Sequence, residues 1–235
     1  LNASVAESLK IYADRLESAE DFESTLHEML KKTIKDHRRI IFNGNGYDDA
    51  WIKEATEVRG LLNYRTTADC MPHLLDKKNV DMLTSHKVFS LDELCSRCEI
   101  MLENYCKTVV IEANTMVDMA KTLIAPAVRR YTADVVRDTK EKLTLDPSIP
   151  CACEKKLIKQ LSTLSESIAE RTEALENTLL SLHDANDTIE ESEMIRDKVL
   201  PRMSELRIAC DESETLTAKS YWPFPTYGDI LFSVR

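Results

Sequence analysis

Residues 90–143 read SLDELCSRCEIMLENYCKTVVIEANTMVDMAKTLIAPAVRRYTADVVRDTKEKL, the longest periodic stretch of the chain. Its first four residues, Ser90-Leu91-Asp92-Glu93, form a capping box. In such a box the serine hydroxyl accepts the backbone N–H three residues on, and the glutamate there reaches back to the serine N–H. Leu91, Leu94, Cys98, Met101, Leu102, Tyr105 and Val109 then recur at three- and four-residue steps. Met116, Met119, Ala120, Leu123, Val128, Tyr131 and Val135 carry the stripe on. That period predicts one helix from Ser90 to Leu143, about 80 Å long at 1.5 Å per residue. Pro126 lies inside it and, lacking an N–H, predicts a kink.

Toward the C-terminus, Asp146-Pro147-Ser148-Ile149-Pro150 breaks the pattern. Leu157, Leu161, Leu164, Ile168, Leu175 and Leu182 then follow a coiled-coil-like spacing that Arg171 and Thr178 interrupt, which suits a bundle helix as well as a zipper. A short turn is expected at Asp184–Asp187. The acidic run Asp187, Glu190, Glu191, Glu193 suits the positive end of a last helix, with Ile195, Val199, Met203, Leu206 and Cys210 inward and Pro201 as an interruption. Connections this short join antiparallel neighbours. The helices near 154–184 and 187–217 should therefore pack with the long one as an elongated bundle. The aromatic, proline-rich run Tyr221–Gly228 reads as non-helical, and Ile230–Val234 as a short strand or an extended tail. Trp222, Phe224 and Tyr227 are expected to dock, with the N-terminal helices as their seat.

Toward the N-terminus, helices are expected over Leu1–Ser18 and from a cap at Ser18 or Asp21, with Phe22, Leu26, Met29, Leu30, Ile34 and Ile41 inward. Lys31, Lys32, Lys35, Arg38 and Arg39 crowd the end of the second. An anion site is one reading of this cluster; the preference of cations for a helix C-terminus is the plainer one. In Phe42-Asn43-Gly44-Asn45-Gly46-Tyr47 the glycine spacing starts like a dinucleotide loop, but position 49 is aspartate and no strand precedes. A C-cap followed by a new N-cap at Asp48 fits better. Helices over Asp49–Arg59 and Thr67–Ser85, separated at Gly60, complete this half.

Composition agrees with helices. The chain holds 4 glycines in 235 residues, where about 16 are usual. Tight turns between strands need glycine, so the count argues against all-β and Rossmann-type folds. The formal charge of −10 argues against a broad nucleic-acid surface. No apolar run is long enough to span a membrane. Seven cysteines, an odd number, suggest reduced thiols and a cytoplasmic location. A chain starting at Leu1 without Met reads as a piece of something longer.

Motifs for chemistry are sparse. Cys95-Ser96-Arg97-Cys98 has CxxC spacing, but Cys151 and Cys153 are too closely spaced for a second zinc pair, so free thiols are expected. No histidine has glutamate three residues before it, as a di-iron bundle would. His27-Glu28 opens like a zincin motif whose closing position is Lys31. There is no GxSxG and no Walker loop. Glu112 and Asp118, in the most apolar stretch, are expected to serve packing or a salt bridge.

Ile41–Tyr47; Ile111-Glu112-Ala113 with Thr115-Met116 and Met119-Ala120-Lys121; Pro126-Ala127-Val128; Val199–Met203; and Trp222-Pro223-Phe224-Pro225-Thr226-Tyr227-Gly228-Asp229 occur in this order along the chain. Together these segments resemble the C-terminal part of type III glutamine synthetase. The resemblance implies a ligase of glutamine biosynthesis and nitrogen metabolism that joins ammonia to glutamate, using ATP and Mg, through a glutamyl phosphate. The family's metal-binding carboxylates and arginines belong to motifs upstream of this region. No catalytic, cofactor-binding or metal residue is therefore assigned to this chain, and no cofactor is expected in it. The implied role is assembly and structural support, with the parent's catalytic domain and other subunits of a homo-oligomer as partners, and neither nucleic acid nor membrane. The implied division is 1–89 adjoining the catalytic part, 90–218 as the long bundle and 219–235 as the tail. The rival reading is a non-enzymatic acidic helical adaptor that docks a partner helix.

Overall fold

A computed structural model of the chain describes residues 1–232. Every regular element among them is helical. The chain divides into two compact units, Leu1–Met101 and the remainder from Leu102 on.

In the first unit α1 (Asn2–Glu17) and α2 (Phe22–Asp36) are followed by a 3-10 turn, Arg38–Ile40. The Asp21 carboxylate caps α2 by accepting the Ser24 N–H. α3 (Asp49–Lys53), capped by Asp48, runs on as a π turn, Glu54–Val58. The single helix expected over Thr67–Ser85 is instead α4 (Thr67–Cys70), a 3-10 stretch (Met71–Leu75) and α5 (Lys77–Ser85). Pro72 explains the division: it opens the 3-10 stretch and disfavours a continued α ladder through its own position. Thr66 and Asp69 form a capping box at the start of α4. Tyr64 stacks on His73 with centroids 4.4 Å apart, fastening the loop before α4.

The Ser90 box forms as read: Ser90 N donates to Glu93 and Glu93 N donates to Ser90 Oγ. α6 (Leu91–Met119) follows, then a π turn (Ala120–Ile124), then α7 (Ala125–Leu145). The expected interruption at Pro126 takes the form of this π turn. Its wider i→i+5 pairing advances the register by one residue, so α7 restarts with Pro126 in its first turn, where a missing N–H costs little. The device recurs. α9 (Thr188–Met194) passes through a π turn (Ile195–Val199) into α10 (Leu200–Leu216), with Pro201 in its first turn.

In the second unit α8 (Ala152–Leu180) packs against both α7 and α10. Lys142 pairs with Glu154 at 2.8 Å and Lys121 with Glu176 at 2.5 Å. Two rungs with falling and rising numbers make α7 and α8 antiparallel. Leu161, Ile168 and Leu175 are fully buried with Ile195, Val199 and Leu206. The apolar seam does not stop at Arg171 and Thr178, as expected. It passes through their neighbours Thr172, 2% exposed, and Leu179. That drift follows a 3.6-residue period and not a heptad, and it defines a straight bundle helix. Thr172 is admitted because its hydroxyl donates to Ile168 O at 2.6 Å. On α6 and its continuation, Cys106, Ala113, Val117 and Ala120 fill the seam, while Leu123 is exposed.

The tail departs from expectation twice. Thr226 and Asp229 form a capping box that starts a helix, α11 (Tyr227–Leu231), where a strand or extended chain was read. Ser233 and Val234 lie outside the described residues. The seat of the rings is also different: Trp222 and Phe224 pack on the core of the second unit, not on the N-terminal helices. Tyr221 explains this placement. Its hydroxyl donates to Asp134 on α7 and its ring lies 5.1 Å from that of Tyr131. The side chain of Tyr227, the third ring expected to dock, lies outside the described set.

Candidate functional site

Polar and aromatic chemistry in the first unit converges on residues 31–59. Arg59, which ends the π turn after α3, is its centre. Its Nη1 donates to Arg39 O at 3.1 Å and Ile41 O at 2.8 Å. Its Nε and Nη2 donate to Glu54 Oε1 at 2.9 and 2.7 Å. The guanidinium carbon lies 4.8 Å from the Trp51 ring centroid, and Trp51 stacks on Phe42 at 3.8 Å. One planar cation thus ties α3 to the segment that follows α2. Two glycines permit it. A Cβ on Gly44 would meet the Phe42 ring tip at 2.5 Å, and the stack on Trp51 leaves that ring no room to yield. Gly60 takes φ +63° and turns the chain directly after Arg59. Gly44 therefore serves a close approach, not the helix C-cap expected of this loop; α2 has already ended at Asp36.

Beside Arg59 lies an open groove of about 810 Å3. Lys31 and Lys35 come from the last turns of α2, Arg38 and Arg39 from the 3-10 turn, and Ile34 and Ile41 supply apolar surface. None of these four cations has a carboxylate partner among the described residues. No carboxylate lines the groove.

The first unit also has a thin core. Its buried apolar residues are Met29, Ala55, Ala68, Leu94 and Cys98. α1 buries no residue at all. It is held by Tyr12 Oη against Thr33 Oγ1 at 3.0 Å and by His86 Nε2 against Glu7 Oε2 at 2.6 Å. The inward face expected of α2 is buried fully only at Met29; Phe22, Leu30, Ile34 and Ile41 are exposed. Leu9 is 61%, Leu62 72% and Val58 79% exposed.

The remaining candidates disperse. All seven cysteines are free thiols. Cys95 is exposed, while Cys98 is buried and its thiol donates to Met71 O at 3.3 Å. Burial pushes the Cys106 and Cys210 thiols up to about 11. His27 is engaged with Glu23 O. Glu112 and Asp118 lie exposed and, among the described residues, outside any ion pair, so the packing role expected of them is not what they do there. Ala113, Val117 and Ala120 near them belong to the buried stripe of α6 and its continuation, while Ile111 beside Glu112 is exposed with it. Among the described residues no group of three or more His, Cys, Asp or Glu is placed to hold a metal ion. None of their helices is long and apolar enough to cross a membrane. In the second unit a cleft of about 650 Å3 is lined by Val110, Asn114, Leu179, His183 and Glu191, with Glu176 drawn off to Lys121. Sequence reading missed the Arg59 clip. Its signal was the spacing of Trp51 and Arg59, two helical turns apart, with Gly60 immediately after.

These elements define an all-helical domain whose polar contacts fasten segments together. The chain belongs to the glutamine synthetase C-terminal domain family, whose model matches residues 25–142, half of the chain. A glutamine synthetase from Butyrivibrio fibrisolvens is 34% identical over 218 residues, covering 93% of this chain and 31% of that protein. A type-3 glutamine synthetase from Dictyostelium discoideum is 29% identical over 245 residues, covering 99% of this chain and 32% of its own length. A glutamine synthetase from Bacteroides fragilis (strain YCH46) is 27% identical over 248 residues, covering 99% and 33%. The chain thus spans about a third of the length of these curated relatives.

Proposed function

We propose that the chain acts as the helical C-terminal part of a type III glutamine synthetase and supports assembly, leaving the chemistry to the rest of a longer polypeptide. The parent activity would be ATP- and Mg-dependent ligation of ammonia to glutamate, in the cytoplasm. The observation that carries the reading is the first unit's thin core beside so much exposed apolar surface. Each large side chain left in water forgoes roughly 1.5–3 kcal/mol of burial. A surface of this kind marks a contact with another protein surface. Relatives three times as long as their match to this chain supply one, which favours this reading over a free-standing adaptor.

The test combines the chain with the Butyrivibrio fibrisolvens enzyme shortened by its matching third. Sedimentation velocity should show the two associating, with γ-glutamyl hydroxamate synthesis dependent on both. Hydroxamate synthesis by the chain alone would overturn the division of labour. A shortened enzyme that assembles and works equally well without the chain would overturn the assembly role.

A further inference from the structure

We propose that the groove of Lys31, Lys35, Arg38, Arg39 and Arg59 binds a small anion carrying two or more phosphoryl groups. Three observations carry this, independently of the assembly role.

The first is the density of Lys31, Lys35, Arg38 and Arg39, beside Arg59, which is itself paired with Glu54 and holds the backbone at Arg39 and Ile41 in place. Of the chain's residues, 41 are acidic and 31 basic, so a cation meets a carboxylate more readily than the reverse. Some cations elsewhere do, as Lys10 with Asp14, Lys77 with Asp81, Lys107 with Glu103 and Arg207 with Asp211; what sets residues 31–39 apart is how closely their cations are spaced. Between positions 31 and 39 five cations stand with one carboxylate, Asp36, and among the described residues pair with none. Like charges this close repel, and an anion bound among them relieves that repulsion.

The second is convergence. The negative end of the α2 dipole accounts for a lysine or two in its last turn. It does not account for Arg38 and Arg39 beyond the helix, or for Arg59 arriving from another element to line the same groove.

The third is fixation. Arg59 holds the carbonyls of Arg39 and Ile41, so the backbone that carries Arg38 and Arg39 is set before a ligand arrives. A preset site loses less on binding than a mobile one. Guanidinium groups present planar forks that match phosphoryl oxygens, and the lysines add point charge. The concave shape suits a compact ligand, whereas an extended acidic polypeptide would favour a longer face. The ligand could be an inorganic polyphosphate or a phosphate ester, since both present the same oxygens.

The test is calorimetric titration of the 235-residue chain with inorganic tripolyphosphate and, separately, with a sugar bisphosphate. One saturable site is expected at 50 mM NaCl, weakening on the order of tenfold at 300 mM as screening rises. The tighter of the two probes identifies the source. Arg38→Glu with Arg39→Glu should weaken binding by at least about tenfold. Arg59→Lys should weaken it several-fold with no change of charge, since it loses the hold on the Arg39 and Ile41 carbonyls that sets Arg38 and Arg39 in place. Lys155→Glu with Lys156→Glu, exposed on α8, should leave it unchanged. Circular dichroism checks that each variant is folded. No saturable binding at 50 mM, or unaltered binding in the Arg38/Arg39 variant, overturns the proposal. So does full affinity in Arg59→Lys, which would reduce the groove to diffuse charge. Polyglutamate binding as tightly as tripolyphosphate would show instead a face for acidic protein.

Discussion

Phe224→Ala tests whether the tail is part of the second unit's core or an ornament on it. The chain's two tryptophans fall one in each unit, Trp51 and Trp222. In a Trp51→Phe background Trp222 is the sole indole, and it lies edge-on to Phe224 with centroids 6.1 Å apart. A fully buried phenylalanine costs about 3–5 kcal/mol when cut to alanine. Phe224 is half-buried against the core, so about 2 kcal/mol is expected. With a urea m-value of about 2 kcal/mol per molar, the unfolding midpoint followed by Trp222 emission should fall by about 1 M. Emission of the folded protein should also shift to the red, because losing the edge contact opens the indole to water. The reasoning fails if the midpoint moves by less than about 0.2 M and the emission of the folded protein is already that of an indole in water. That pair of results would mean the rings do not rest on the bundle.

Three further outcomes are expected. Ile195→Ala, fully buried in the π turn that precedes Pro201, should cost about 3–4 kcal/mol and lower the thermal midpoint of the second unit, read by circular dichroism. Dithionitrobenzoate at pH 8 should modify the exposed Cys70, Cys95 and Cys153 quickly; Cys98, Cys106, Cys151 and Cys210, buried, should react only as fast as the protein opens. Asp229 is held down to about 2, first by its bond to Lys219 and then by those to Thr226. A depressed carboxylate stabilises above its unfolded value of about 3.9. The α11 cap should therefore persist above about pH 4 and fail as pH falls through 2, and Lys219→Ala should move the carboxyl resonance titration upward.

How much of this was legible depended on how much each feature depended on neighbours along the chain. Caps were legible because their partners are two or three residues apart: Asp21, Asp48, Ser90 and Asp187 all start helices where the sequence says. The Thr226–Asp229 box was equally local. It was overridden by the prolines at 223 and 225, which end upstream of the cap and so do not constrain the helix after it. The α8 seam was legible to within one residue. Reading leucines alone placed polar interruptions at Arg171 and Thr178, because a threonine whose hydroxyl returns to the carbonyl four residues back does not register as core. Of the Arg59 clip only the Trp51–Arg59 spacing was written in the letters; its bonds to residues 18 and 20 positions away run through backbone carbonyls, which carry no letter in the sequence.

The inward face of α2 is the most instructive departure. Its period is as regular as that of α8, and the reading that worked for one misplaced the other. The period of a stripe reports that a face is apolar; it does not say which surface covers it. For α8 the covering helices, α7 and α10, lie within the same chain, so the stripe becomes core. For α2 the stripe stays in water at Phe22, Leu30 and Ile34, and α1 beside it buries nothing. An amphipathic helix draws most of its stability from packing that face, because propensity alone barely sustains helices of this length. The first two helices therefore leave their apolar faces uncovered within their own unit. Were they complete as they stand, Leu30→Gln or Phe22→Gln would raise solubility without touching any association. On the assembly reading both substitutions weaken association with the shortened synthetase and leave the second unit's unfolding where it was.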